Sequence, residues 1–106
     1  MPKTLHLQAF QQVYLDVELL DGSIIHLKKP TQRLAIEMAL LPQYLVQQDI
    51  NVIVTALNEL TVNILDNNKE GRIFTLDSIK DWEVELKNAL INAYQEFLCE
   101  ILANPN

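Results

Sequence analysis

A chain of 106 residues builds one hydrophobic core, and 49% hydrophobic with 21% charged residues is an ordinary globular composition, which excludes disorder along the whole length. With 8 Lys and Arg against 14 Asp and Glu the net charge is −6, so binding to phosphate backbones by counterion release is disfavoured and no nucleic-acid partner is expected. A single cysteine, Cys99, permits neither an internal disulfide nor a cysteine-based zinc site.

From Val13 the pattern is that of strands. Val13, Leu15, Val17 and Leu19 alternate with Tyr14, Asp16, Glu18 and Leu20, and this period of two predicts a half-buried strand. Asp21-Gly22 then supplies the two residues that a type I′ hairpin turn places at positive φ, and Ser23-Ile24-Ile25-His26-Leu27 offers the returning strand. An earlier alternation of Leu5, Leu7 and Ala9 with His6 and Gln8 allows a further strand ending near Phe10. Pro30 stops the second strand because it cannot donate to a ladder, and Thr31 is placed to cap a helix.

Leu34, Ala35, Met38 and Leu41 form the apolar stripe of that helix, which Pro42 is expected to end or restart. Residues Gln43 to Gln48 fit either helix or loop. From Ile50 the spacing Ile50, Ile53, Val54, Leu57, Leu60, Thr61, Ile64 and Leu65 predicts an amphipathic helix in spite of its β-branched residues. Asp66-Asn67-Asn68-Lys69-Glu70-Gly71 is a turn, with Asn or Gly expected in the left-handed conformation that closes a helix. Thr75 then reads as an N-cap with Phe74 and Ile79 as its hydrophobic staple, opening a short helix through Ile79 and Trp82. Asp81 is the expected cap of a last helix whose stripe is Leu86, Leu90, Tyr94 or Ala93, Phe97 and Ile101, with Asn104-Pro105-Asn106 as its frayed end. The expected fold is α+β in one domain, 1–106: an N-terminal antiparallel β-hairpin (1–29) followed by a small bundle of three to five α-helices (30–103).

No chemistry stands out. His6 and His26 lie in strand regions without a neighbouring ligand, so neither a metal nor a cofactor is expected. Cys99 is expected as a small buried or half-buried residue of the last helix, since a reactive thiol needs a cationic environment. Asp16 and Glu18, two apart in a strand, mark its solvent side, and Glu96 and Glu100 the polar side of the last helix. With no phosphate loop, no nucleophile elbow and 2 glycines in all, the chain is not expected to be an enzyme. Trp82 and Phe97 read as core anchors. All of the net negative charge lies in residues 49–106, as a solvated helical surface or a face for a basic partner. No apolar run approaches the roughly 20 residues of a membrane span, and Met1-Pro2-Lys3-Thr4 does not lead into a signal-peptide core, so a soluble cytoplasmic protein is expected.

Residues 43–57 have apolar character on more than one helical face. Tyr44, Leu45, Val46, Ile50, Val52, Ile53 and Val54 are therefore the candidate partner-binding residues, and self-association into a homo-oligomer is expected through the same surplus.

Two blocks carry a resemblance. The first is Val17-Glu18-Leu19-Leu20-Asp21-Gly22-Ser23-Ile24-Ile25-His26-Leu27-Lys28-Lys29-Pro30-Thr31. The second is Ile64-Leu65-Asp66-Asn67-Asn68-Lys69-Glu70-Gly71-Arg72-Ile73-Phe74-Thr75, followed by Ala93-Tyr94-Gln95-Glu96-Phe97 and Asn104-Pro105-Asn106. Together they resemble the small tail assembly chaperones of long-tailed phages and prophages of Gram-positive bacteria. The resemblance implies a non-enzymatic assembly factor in the bacterial cytoplasm. Such a factor coats the helical tape measure protein until tail tube protein displaces it, and the family has no catalytic residues to carry over. The reading from another class is an acidic inhibitor or adaptor that occupies a basic protein surface.

Overall fold

The computed structural model describes residues 3–5, 7 and 13–103. The expected strand from Leu5 to Phe10, His6 within it, and the terminal Asn104-Pro105-Asn106 lie for the most part or wholly outside the described residues. The fold is α+β, an antiparallel hairpin followed by three α-helices. Strands β1 (Leu15–Glu18) and β2 (Ile24–Leu27) lead into α1 (Gln32–Leu45), α2 (Ile50–Asp66), a single 3₁₀ turn (Leu76–Ile79) and α3 (Val84–Ala103).

The hairpin pairs Leu15 with Leu27, Asp16 with His26, Val17 with Ile25 and Glu18 with Ile24. The period of two acts as expected: Ile25 and Leu27 are buried, Leu15 and Val17 pack against the core, and Asp16 and Glu18 face solvent. The turn differs from the type I′ expectation. Its closing pair is Leu19 with Ser23, whose N–H···O bond is 2.7 Å, and Gly22 N–H donates to Leu19 O at 2.9 Å. Gly22 has φ +86° while Asp21 stays at negative φ, so the loop is a three-residue turn ending in a glycine bulge. Packing sets this choice. A two-residue loop would pair Leu20 with Ser23 and slip the register by one, bringing His26 inward and turning Ile25 and Leu27 out.

Helix α1 starts where expected, with Thr31 Oγ1 accepting the Leu34 N–H at 3.2 Å. Pro42 does not end or restart it. Proline removes only the bond to the Met38 carbonyl, and the helix runs on to Leu45, so that Gln43 to Leu45 are its last turn. Asp49 caps α2 through its bond from Asn51 N–H at 3.0 Å, and the β-branched segment is helical because Leu57, Leu60, Thr61, Ile64 and Leu65 form one buried stripe. The central helix α2 packs against α1, α3 and the 3₁₀ turn.

Neither Asn67 nor Gly71 closes α2 by a left-handed cap. Asn67 sits at φ −86°, ψ 57°, and Gly71, at φ +73°, comes later in the turn. The buried Asn68 side chain does the work instead. Its Nδ2 donates to Leu65 O at 2.8 Å and to Arg72 O at 2.7 Å, and its Oδ1 accepts from Arg72 N–H at 2.9 Å. Thr75 does open the next element, its N–H donating to Ser78 Oγ at 3.0 Å, with Phe74 and Ile79 both buried. That element is one 3₁₀ turn ending at Ile79, so Trp82 lies beyond it, half-buried against the core.

Asp81 does not cap α3. The helix starts at Val84, and the Glu83 carbonyl accepts from Leu86 N–H at 3.0 Å and from Lys87 N–H at 3.4 Å. Its buried face is Lys87, Leu90, Ile91, Tyr94 and Phe97, with Tyr94 rather than Ala93 on the core side and Leu86 exposed. The buried Lys87 reaches out of the core with its ammonium, Nζ donating to Asn58 Oδ1 on α2 at 2.7 Å. Cys99 is exposed, contrary to expectation, because Phe97 and the half-buried Leu98 and Ile101 take the inner positions of that last turn.

Candidate functional site

The surface with most to explain is the free end of the α1–α2 pair. The end of α1 contributes Tyr44 and Leu45, the connection contributes Val46, and the start of α2 contributes Ile50, Val52, Ile53 and Val54. Val46 is 80% exposed, Ile50 65% and Leu45 50%, whereas Val52 and Ile53 are half-buried. All seven predicted residues therefore come from one helical hairpin, and they line up along its outer end. The cause is in the chain: α2 fills the core with its second half, so its first two turns present β-branched side chains, of which Ile50 and Val54 stay exposed and Val52 and Ile53 are only half-buried.

A groove of about 470 Å³ between α1 and α2 adjoins this patch. Leu40, Leu41 and Tyr44 line it from α1, and Val52, Ala56 and Leu60 from α2. Its far end is polar. Arg33 Nε donates to Glu37 Oε1 at 3.1 Å, and Asn63 Nδ2 donates to Glu37 Oε2 at 3.0 Å, which clamps the two helices together there. Leu40, 38% exposed, and Ile36, 50% exposed, were not among the predicted residues. Their signal was present, since Ile36, Leu40 and Tyr44 follow one another at intervals of four along α1, a second apolar row beside the core stripe.

Polar groups cluster elsewhere. His26 faces solvent from β2, and Glu70 holds it twice: Oε1 accepts the His26 backbone N–H at 2.9 Å and Oε2 lies 2.6 Å from Nδ1. Asp16 Oδ1 is 3.6 Å from the other ring nitrogen. Among the described residues no group of three His, Cys, Asp or Glu side chains is arranged to hold a metal ion, and no helix is long and apolar enough to cross a membrane. The His26 N–H and imidazole hold the Glu70 carboxyl below the usual carboxylate range. A carboxyl with a lowered folded-state pKa adds stability above its unfolded value, and that part is lost as pH falls. Acid titration is therefore expected to loosen the 67–70 loop from β2 starting below the ordinary value of 4.5, and Glu70→Gln to flatten this limb in melts recorded against pH.

What the α1–α2 surface can do is bury apolar area. It offers a groove with leucine and valine walls, an apolar lip and a charged far end, the layout in which a partner helix is held by its apolar face. Against protein-family models, curated proteins and solved structures alike, the chain finds no match.

Proposed function

We propose that this chain is a tail assembly chaperone of a long-tailed phage or prophage, working in the cytoplasm of a bacterial host. It binds the tape measure protein and keeps it soluble until the tail tube polymerises around it. The supporting observation is the uncovered apolar lip of Tyr44, Leu45, Val46 and Ile50 at the mouth of the α1–α2 groove. A long helical protein exposes apolar stripes that aggregate before assembly, and a small domain with such a groove covers one of them per copy. The tape measure helix lies in the groove, and tail tube protein displaces the chaperone in turn.

The test is co-expression with the tape measure protein of the same genome, followed by capture at low salt and at 0.5 M salt. The complex is expected to survive 0.5 M salt, where the Debye length is roughly 4 Å and exposed ion pairs are screened. Val46→Asp combined with Ile50→Asp is expected to weaken capture by about 100-fold or more, as the loss of central apolar anchors does, with an unchanged melting temperature. A complex that forms only at low salt supports the acidic adaptor instead. No capture at either salt, or a tape measure protein that stays insoluble, ends the chaperone reading.

A further inference from the structure

The two edges of the hairpin are treated differently. In an antiparallel pair, residues facing each other alternate between exchanging hydrogen bonds and pointing their N–H and C=O groups outward. The hydrogen-bonded closing pair, Leu19 with Ser23, makes Val17–Ile25 and Leu15–Leu27 bonded pairs as well, which turns the backbone groups of Asp16 and Glu18 to the outer edge of β1 and those of Ile24 and His26 to the outer edge of β2. The β2 edge is closed at its His26 and Lys28 end: His26 N–H donates to Glu70 Oε1 at 2.9 Å, His26 O accepts from Lys69 N–H at 2.8 Å, and Lys28 N–H donates to Asn67 O at 2.8 Å. Among the described residues, no strand pairs with the outer edge of β1.

Beside that open edge runs a second groove of about 340 Å³, which shares no lining residue with the first. Trp82, Leu86, Ala89 and Ala93 line it from the α3 side, and β1 lines it from the other. Its charged lining residues are Asp16 and Glu18, with no Lys or Arg. A strand added to β1 continues both faces of the sheet. Its inward residues extend the layer of Leu15 and Val17 over Leu86 and Ala89, and its outward residues stand beside Asp16 and Glu18.

We propose that the outer edge of β1 is a docking site for an extended segment of a partner protein in which apolar and basic residues alternate. The occupant is not a second copy of this chain paired through the same edge, because a two-fold β1–β1 contact sets Asp16 and Glu18 against their own copies, and like charges directly opposite are destabilising. This inference does not depend on the tape measure reading.

The full chain reports on the site through Trp82, its single tryptophan, which lines the groove. The probe is a capped octapeptide alternating valine with lysine, titrated at low salt. A saturable shift in Trp82 emission is expected, about tenfold weaker in Glu18→Lys. Ala89→Arg, an exposed position whose replacement fills the groove and repels the peptide, is expected to weaken it at least as much without lowering the melting temperature. Equal binding of a valine–glutamate octapeptide overturns the charge assignment. Equal binding of the valine–lysine peptide N-methylated at every second residue overturns strand pairing. No Trp82 response at millimolar peptide, or a dimer of the protein alone that Glu18→Lys strengthens, removes the site.

Discussion

Tyr94→Ala is expected to destabilise the protein by about 3–5 kcal/mol, a large part of the 5–15 kcal/mol typical of a domain this size. Tyr94 is fully buried, its ring tilted against Phe97 with centroids 6.1 Å apart. Its hydroxyl donates to Lys28 O at 2.6 Å and accepts from Asn67 Nδ2 at 3.1 Å, and the same Nδ2 donates to Lys29 O at 3.1 Å. One phenol thus ties α3 to the exit of the hairpin and to the end of α2. Removing the ring leaves a cavity and takes the hydroxyl from the Lys28 carbonyl, whereas Tyr94→Phe keeps the packing and is expected to cost about 1–3 kcal/mol for the unpaired polar groups. Burial pushes the Tyr94 hydroxyl up to about 12 from an ordinary 10.0. A group whose folded-state pKa is raised gives stability that is complete below its unfolded value and lost as pH rises through the folded one. Denaturant titrations should therefore show an alkaline loss between pH 10 and about 12 that Tyr94→Phe lacks.

Asn68→Asp is expected to cost about 2–4 kcal/mol at neutral pH, nearly as much as Asn68→Ala. The amide is isosteric with the carboxyl, so shape is kept and only donor capacity changes. Asn68 is 3% exposed, and its Nδ2 serves the Leu65 and Arg72 carbonyls at once. An ionised carboxylate has no proton for either and sets one oxygen, in the place of Nδ2, against both carbonyl oxygens, while the other still accepts from Arg72 N–H. Because the same turn carries Asn67 and Lys69, which bond to the outer edge of β2, the loss should spread to the hairpin. Amide exchange at Lys28 and Lys69 is the measurement, with faster exchange in both variants than in the wild type. Unchanged exchange and an unchanged denaturation midpoint would show that the turn holds without the amide.

The two grooves follow from one economy of packing. A hairpin and three helices have more apolar faces than one small core absorbs, so α2 leaves its first half partly exposed and β1 leaves its edge beside α3. Charge then separates the two surfaces: at the α1–α2 mouth Tyr44 lines the groove with the exposed Leu45 and Val46 beside it, whereas the β1 groove is rimmed by Asp16 and Glu18. Salt dependence distinguishes them, since apolar burial persists at high ionic strength and rim charges are screened.

The chain by itself determined the elements. Alternation from Leu15 to Glu18 and from Ile24 to Leu27, the Thr31 cap, and the three- and four-residue spacing of Leu57, Leu60, Thr61, Ile64 and Leu65 are local signals, and local periodicity survives folding because each element must turn one face inward. It also marked the exposed apolar patch at the end of the α1–α2 pair, since the extra apolar face of residues 44–54 is visible as a pattern. What tertiary structure decided was every choice between locally equivalent options. Asp21-Gly22 suits a two-residue and a three-residue loop alike, and only burial of Ile25 and Leu27 together with Val17 selects the second. Pro42 lies within a helix because the one bond it removes falls near the helix end. Tyr94 displaced Ala93, Cys99 was left outside, and Lys87 was drawn in beside Asn58, because the angle at which α3 meets α2 fixes which positions the core can fill. The closed and open edges of the hairpin depend on contacts across 44 residues between His26 and Glu70, and no local pattern records a pairing over that distance, because its energy exists only once both segments are folded.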